Sequence, residues 1–181
     1  MRTRVFCFLT VLISLAVLAN PASDQESKTQ RPSPPASAGC RFTDGKTINM
    51  DYSSPRMKGR KIFGELVPYG KVWRAGANEA TTFVTTADLT AGGKTIPAGS
   101  YTVFAIPNPD KWTFIISKKT GEWGTAYPGE SEDLARLDMQ VSKLPAPLEN
   151  FTISFDQASG VCTMHLDWET TRASFAFAEK K

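Results

Sequence analysis

Most of the chain after residue 45 alternates between apolar and polar side chains with a period of two. In the run over 47–52, for example, Ile48, Met50 and Tyr52 are separated by polar residues. Side chains of a β-strand point alternately to opposite faces, so each such run predicts a strand with one buried and one solvent-facing side. The other predicted strands cover 100–106, 111–117, 136–141, 151–156, 163–168 and 172–177.

Turn-forming residues separate these runs. Gly- and Pro-containing turns at 92–94 and 97–99 enclose a further short strand, and 108–110 and 159–160 have the composition of hairpin turns. No window has the period of a long amphipathic helix, although 130–137 has room for one helical turn. About eight to ten short strands joined in this way predict an all-β fold, an antiparallel β-sandwich of jelly-roll type.

The first 19 residues have the layout of a secretory signal peptide. Arg2 and Arg4 precede an apolar run that ends in Val-Leu-Ala, with small residues at the positions that signal peptidase requires. The run is about 15 residues long, shorter than the roughly 20 needed to span a bilayer. We therefore expect cleavage, export to the periplasm or the exterior, and no transmembrane segment in the mature protein.

Residues 20–39 are rich in Pro, Ser and charged side chains and contain almost no large apolar one. Such a segment buries too little surface to offset its ordering entropy. It predicts a flexible linker, followed by one folded domain over 40–181. The alternative is a lipid anchor at Cys40, because Ser37-Ala38-Gly39-Cys40 ends like a lipidation motif. Ser37, however, stands where an aliphatic residue is usual.

The charge balance argues against nucleic acid as a partner. The chain has 21 Lys and Arg and 18 Asp and Glu residues, a net charge of +3, and loss of Arg2 and Arg4 with the leader reduces it further. Nucleic-acid-binding domains usually present a strongly basic surface. Phosphate-binding glycine loops are absent from the sequence as well, so no cofactor is expected.

Cys40 and Cys162 remain after Cys7 is removed with the leader. An even number of cysteines in an oxidising compartment favours a disulfide. Two unpaired thiols are the alternative, with Cys162 as a small core residue.

The spacing of Cys162 and His165 resembles half of a metal site. We predict no metal site there, because positions three apart in a strand face opposite sides. Cys162 would then face the core, while His165 would lie at the surface beside Asp167.

The stretch over 51–82 is the densest in groups able to recognise a ligand. Guanidinium groups bind carboxylate or phosphate through two parallel hydrogen bonds, a tyrosine offers an apolar wall with a polar tip, and amide and carboxylate groups orient hydroxyls. The alternative is an internal clasp in which one arginine pairs with the glutamate and the asparagine bonds loop backbone. The predicted ligand-binding residues are Arg56, Arg60, Tyr69, Arg74, Asn78 and Glu79, and in the clasp Arg74 pairs with Glu79.

Carboxylates in this stretch leave an enzymatic alternative, a hydrolase acting on envelope glycan or a small ester. Glycosidases need two carboxyl groups facing one cleft, and Asp51, Glu65 and Glu79 are candidates. Tryptophans such as Trp123 could stack on sugar rings. A Ser-His-Asp triad is disfavoured, because His165 is the single histidine and no G-x-S-x-G motif accompanies it.

Several short motifs stand out in this stretch and beyond it. They are Tyr52-Ser53-Ser54-Pro55-Arg56, Lys58-Gly59-Arg60, Phe63-Gly64, Pro68-Tyr69-Gly70, Val72-Trp73-Arg74, Gly76-Ala77-Asn78-Glu79-Ala80-Thr81, Ile96-Pro97-Ala98-Gly99-Ser100-Tyr101, Trp112 and Trp123-Gly124. Together they resemble the signature of an exported bacterial family catalogued as domain of unknown function 2911. The resemblance spans about 48–177 and implies a secreted domain with a leader. It implies no established activity, so no catalytic residue is carried over.

These observations predict an exported, non-enzymatic β-sandwich that binds a small anionic or polar ligand, a glycan, or an envelope partner. The carboxylate-based hydrolase is the first alternative. A purely structural envelope protein, in which the motifs only hold the fold together, is the second.

Overall fold

The computed structural model describes residues 30–124 and 126–181. The predicted signal peptide and residues 20–29 of the predicted linker therefore lie outside the described residues. Within them, no helix is long and apolar enough to cross a membrane. The strands are β1 (Pro35–Arg41), β2 (Thr47–Ser53), β3 (Thr82–Thr85), β4 (Leu89–Ala91), β5 (Lys94–Ile96), β6 (Gly99–Ile106), β7 (Lys111–Ser117), β8 (Asp133–Ala158) and β9 (Val161–Glu179), with one 3-10 turn at Glu130–Glu132.

All of these strands belong to one antiparallel sheet in the order β1-β2-β3-β6-β7-β8-β9-β4-β5. The all-β antiparallel fold predicted from the alternation is thus confirmed, and the nine strands described fall within the expected number. Hairpin turns join β6 to β7 and β8 to β9 at the two places where turn residues predicted them.

Two of the strands are much longer than expected. β8 has 26 residues and β9 has 19, whereas the sequence predicted two short strands in place of each. The pairing of β8 with β9 shifts register twice between Lys143 and Thr152, where Pro145 and Pro147 cannot donate to the ladder. Glu169, opposite this region, has a left-handed φ of 56°. The interruptions are therefore bends inside continuous strands, which the alternation pattern cannot distinguish from loops.

The far half of this hairpin folds back over the beginning of the sheet. A disulfide joins Cys162 in β9 to Cys40 in β1, with 6.1 Å between their Cα atoms, although β1 and β9 are far apart in strand order. After β2 the chain also bonds to β8, through Met57 N–H to the Glu149 carbonyl at 2.8 Å and Phe151 N–H to the Pro55 carbonyl at 2.9 Å. These contacts close the single sheet into a sandwich-like arrangement.

A cluster of aromatic rings fills the space between the hairpin and the sheet. Phe63 packs edge-on against Trp112 with ring centroids 4.8 Å apart, and Trp73 contacts Phe151 at 5.0 Å and stacks on Trp168 at 6.0 Å. Aromatic pairs of this kind add to the stability gained from burial alone. Of the aromatic residues in the stretch over 51–82, Phe63 thus belongs to the core and Trp73 packs against it.

The flexible linker expected up to residue 39 is wrong at its C-terminal end, because Pro35–Arg41 forms β1. Small side chains let this strand lie close to β2: a Cβ atom on Gly39 would be 2.9 Å from the Ile48 carbonyl oxygen. Ala36 and Ala38 pack against the core. The strand is also held by the disulfide, which engages the sulfur of Cys40 that a lipid anchor would need.

Near its start, β9 does not have the solvent-exposed face that the alternation predicted. His165 is only 7% exposed and its Nε2 lies 3.0 Å from an Asp156 carboxylate oxygen, while Asp167 is 5% exposed and accepts two hydrogen bonds from Arg172. The surface position predicted for His165 is therefore wrong. Cys162 does face the core, as expected.

Candidate functional site

A row of polar side chains crosses the outer face of β1, β2 and β3. Ser37 lies directly opposite Asp51, and Asp51 lies directly opposite Thr82. Direct partners in an antiparallel sheet point to the same face. Because Met50 and Tyr52 point into the core, Asp51 between them points outward. The alternation of β2 thus places a carboxylate at the centre of a hydroxyl-bearing surface.

This row forms the floor of a cleft of about 570 Å³, a size that suits a small molecule. A neighbouring groove of about 530 Å³ shares Ser37 and Asp51 with it and extends toward Asn49. The cleft is lined by Arg31, Pro35, Ala36, Ser37, Asp51, Tyr52, Ser53, Glu79, Ala80 and Thr82.

Two loops, over 74–81 and 121–124, build one rim of the cleft. Their backbones are joined by the Ala80 N–H, which donates to the Glu122 carbonyl at 3.0 Å, and by the Gly124 N–H, which donates to the Asn78 carbonyl at 3.1 Å. Between these bonds, Glu79 and Trp123 form a β-bridge. The indole of Trp123, 59% exposed, therefore lies beside the glutamate that lines the cleft.

Arg31 connects the charged and aromatic parts of this rim. Its Nη1 donates to both carboxylate oxygens of Glu79, at 2.8 and 3.0 Å. The centre of its guanidinium group lies 5.8 Å from the centroid of the Trp123 ring, within the range of a cation–π interaction. One arginine from the segment before β1 thus orients a carboxylate and an indole together.

Asn78 fixes the rim loop to the sheet. Its φ of 55° is left-handed, a conformation that asparagine tolerates better than most residues. Its side-chain amide donates to the Ser33 carbonyl at 3.0 Å and to the Ser53 hydroxyl at 3.1 Å. Asn78 therefore satisfies loop and strand-end groups, which agrees with the internal role that the clasp interpretation gave it.

The cleft offers mainly hydrogen-bond acceptors and hydroxyl groups. The Asp51 carboxylate is exposed and, among the described residues, makes no hydrogen bond or ion pair. Behind it, the buried Tyr52 hydroxyl accepts a hydrogen bond from the Ile153 N–H at 3.1 Å, and burial raises the pKa of this phenol. With the Glu79 charge balanced by Arg31, the exposed carboxylate leaves this surface unfavourable for an anion and suited to a neutral polar molecule.

The structure does not bring the six predicted ligand-binding residues together. Arg56 donates to the carbonyl and hydroxyl oxygens of Ser54, at 3.1 and 2.8 Å. Arg60 donates to the carbonyl oxygens of Met57, at 2.9 Å, and Arg56, at 2.7 Å. Both guanidinium groups therefore bond to local protein oxygens instead of converging on a ligand.

The remaining predicted residues lie elsewhere. Tyr69, 42% exposed, covers Gly64 and lines neither cavity. Arg74 does not form the expected clasp: among the ion pairs of the described residues, Glu79 pairs with Arg31 and not with Arg74. Of the six, Glu79 lines the cleft, Asn78 supports its rim, and Arg74, at the start of the rim loop, lies next to Gly124.

Arg31, Ser37 and Thr82 were missed as site residues. The first two fell in the predicted linker, and no local signal marks them in the sequence. Asp51 and Trp123 were predicted as site residues only for the hydrolase alternative. What unites Ser37, Asp51 and Thr82 is cross-strand register, and register between strands distant in sequence is not visible in a linear pattern.

Comparison with known proteins identifies a family. A family model described as "Protein of unknown function (DUF2911)" matches residues 33–177, which include Ser37, Asp51, Glu79 and Trp123. No curated protein and no solved structure matches the chain.

Proposed function

We propose a function for this chain, which belongs to the DUF2911 family. We infer that it is an exported domain that binds a small hydroxyl-rich ligand of the sugar class. It binds this ligand without catalysing a reaction on it. The composition of the cleft carries this proposal: carboxylate, hydroxyl and guanidinium groups line it, and an exposed tryptophan stands at its rim. Ligand hydroxyls both donate and accept hydrogen bonds, so they match such a mixture of groups.

Each group has a distinct part in binding. The Asp51 carboxylate accepts hydrogen bonds from ligand hydroxyls at the floor, where Ser37 and Thr82 flank it across the sheet. Trp123 provides an apolar face on which a sugar ring stacks, since the C–H groups of such a ring are apolar on one side. Arg31 holds the indole and the glutamate in place.

The disulfide supports export as part of the proposal. Disulfides persist in oxidising compartments and are rare in the reducing cytosol. A bond between Cys40 and Cys162 therefore fits a protein that functions after passing through the secretory route indicated by its leader.

The test is direct binding by the mature protein, measured by thermal shift and titration calorimetry with neutral mono- and disaccharides. A ligand present at about 100 times its Kd stabilises the native state by about 2.7 kcal/mol. We expect Asp51→Asn and Trp123→Ala to weaken binding at least about tenfold, which corresponds to about 1.4 kcal/mol. Their melting temperatures should change little, because both side chains are exposed.

The matched control is Asp110→Asn, which removes another exposed aspartate, from the turn between β6 and β7. It should leave binding unchanged. If no saccharide stabilises the wild-type protein, or if Asp51→Asn and Trp123→Ala bind as tightly as the wild type, the proposal is wrong and a purely structural role becomes the better interpretation.

A carboxylate-based hydrolase is the second candidate, favoured by one observation: Asp51 and Glu79 line the same cleft. Glu65 takes no part in it, because it is exposed and pairs with Lys61 at 3.4 Å outside the cleft. Hydrolysis by two carboxyl groups predicts turnover of chromogenic glycosides or esters that Asp51→Asn and Glu79→Gln each abolish. Binding of a sugar without turnover would exclude the hydrolase and support the binding function.

A further inference from the structure

Arg74 is a partly buried arginine whose charge no described group balances. Its Nε is a buried nitrogen with no hydrogen-bond partner. Its terminal amino groups also make no hydrogen bond to the described residues, and no acidic side chain among them forms an ion pair with it. Burial lowers the pKa of this guanidinium, which is the expected response of a cation removed from water.

Other arginines of the chain show how unusual this is. Arg136 and Arg172 pair with the carboxylates of Asp133 and Asp167, each with a contact shorter than 2.8 Å. Arg60 donates to two backbone carbonyls. A guanidinium keeps its charge at any physiological pH, so leaving it partly buried and unpaired opposes folding. A group of this kind is stabilised when an anion from outside supplies the missing acceptor.

The position of Arg74 allows such an approach. Gly124 lies beside the guanidinium: it has a left-handed φ of 67°, and a Cβ atom there would lie 3.9 Å from Arg74 Nη1. Position 124, being glycine, therefore places no side chain of its own against Nη1. Since Nη1 and Nη2 are neither bonded nor among the fully buried unpaired nitrogens, they retain access to solvent.

From this geometry we infer that Arg74 is the receptor of an oxyanion site, in which a carboxylate or phosphate group binds the guanidinium. Two parallel N–H···O bonds from a guanidinium are the arrangement that such anions favour. The site is distinct from the cleft, because Arg74 lines neither that cavity nor the neighbouring groove. Its existence therefore does not depend on the sugar-binding function.

The experiment compares wild type and Arg74→Met in chloride buffer, and then in inorganic phosphate or succinate at the same ionic strength. In chloride, Arg74→Met should melt at a higher temperature than wild type, because an unpaired charge is replaced by an apolar side chain of similar length. In phosphate or succinate, wild type should gain several degrees while Arg74→Met gains none. Calorimetry should show at least tenfold weaker anion binding by the variant.

Arg60→Met is the matched control, since it removes an arginine of the same stretch that already donates to two carbonyls. It should keep the anion response of the wild type. Arg74→Lys, which retains the charge but not the paired donors, should bind the anion more weakly than wild type and serves if Arg74→Met does not fold.

Two results would overturn the inference. The first is a wild-type protein that phosphate and succinate stabilise no more than chloride does at equal ionic strength. The second is an Arg74→Met or Arg74→Lys variant that melts lower in chloride and keeps the full anion response, as a purely structural arginine would. A response to only one of the two anions would identify the ligand group as phosphate or carboxylate.

Discussion

Arg31 donates to both oxygens of the Glu79 carboxylate, at 2.8 and 3.0 Å, across 48 residues of sequence. The sequence suggested Arg74 as the partner of Glu79, because both lie in the stretch over 51–82. The pair that forms instead joins the segment before β1 to a loop that precedes β3. A residue outside the expected domain boundary thus shapes the rim of the cleft.

We expect Arg31→Ala to cost little stability, below about 1 kcal/mol, because ion pairs that remain partly open to water contribute little. The two side chains are 29% and 44% exposed. The loss of saccharide affinity should be larger than the loss of stability, since Arg31 also orients Trp123. Urea unfolding and calorimetry on the same samples measure both effects. A stability loss of several kcal/mol would instead assign Arg31 a structural role.

Removing the disulfide should destabilise the domain strongly. Cys40 and Cys162 close a loop of 122 residues, for which the chain-entropy model gives roughly 4–5 kcal/mol. We expect Cys40→Ser/Cys162→Ser to unfold at a much lower urea concentration than wild type. Adding a thiol reductant should bring wild type to the same midpoint and leave the double variant unchanged. Equal midpoints for oxidised wild type and variant would contradict this.

Gly64 and Gly59 allow a matched test of whether a glycine of the family motifs is required for packing against Tyr69. Both have a left-handed φ, of 89° and 70°, but a Cβ on Gly64 would lie 2.8 Å from the Tyr69 ring while one on Gly59 meets nothing within 4 Å. Gly59→Ala should cost about 1–2 kcal/mol of backbone strain. Gly64→Ala should cost more, by the overpacking penalty of about 1–3 kcal/mol. Equal losses in chemical unfolding would show that Tyr69 moves aside freely.

Stability should fall in alkaline solution. Burial raises the pKa of Tyr52, Tyr101 and Tyr127 above the ordinary value of 10.0. Above that pH the unfolded chain loses phenolic protons that the native state keeps, so the free energy of unfolding decreases as pH rises. Below it, this contribution is fully present. Urea unfolding between about pH 8 and about pH 11 tests the direction.

Tyr52→Phe provides the control for that prediction, because it removes the phenol that bonds the Ile153 N–H. The variant should start less stable at neutral pH and lose less stability on going to alkaline pH. Phenolate absorbance, followed in native and unfolded protein, separates tyrosine titration from that of lysines. A wild-type stability that stays constant over this range would contradict the raised pKa values.

Local patterns predicted the strands well and their continuity poorly. The run around Ile48, Met50 and Tyr52 became β2, because alternation states which side chains are buried. The bends in β8 and β9 escaped prediction, since a bent strand and a loop both interrupt alternation. His165 was misplaced for a related reason: β9 is covered on both faces near its start, and burial of a polar face depends on what packs against it.

The candidate site was predictable only in part. Glu79 and the tryptophan beside it were visible as residue types able to bind a sugar or act on one. The cleft itself depends on three strands aligning Ser37, Asp51 and Thr82 in one row. That alignment follows from register, which long-range pairing fixes and sequence spacing does not. Arg56 and Arg60, which the sequence grouped with the site, bond instead to oxygen atoms of their own loop.

The bent hairpin of β8 and β9 has a consequence for how the domain unfolds. Each of its strands pairs with the main sheet at one end, β8 with β7 and β9 with β4, and lies over the beginning of the sheet at the other end. Neither end of the hairpin can therefore melt and leave the rest of the sheet intact. Thermal denaturation should proceed as one all-or-none transition, with calorimetric and van't Hoff enthalpies in agreement.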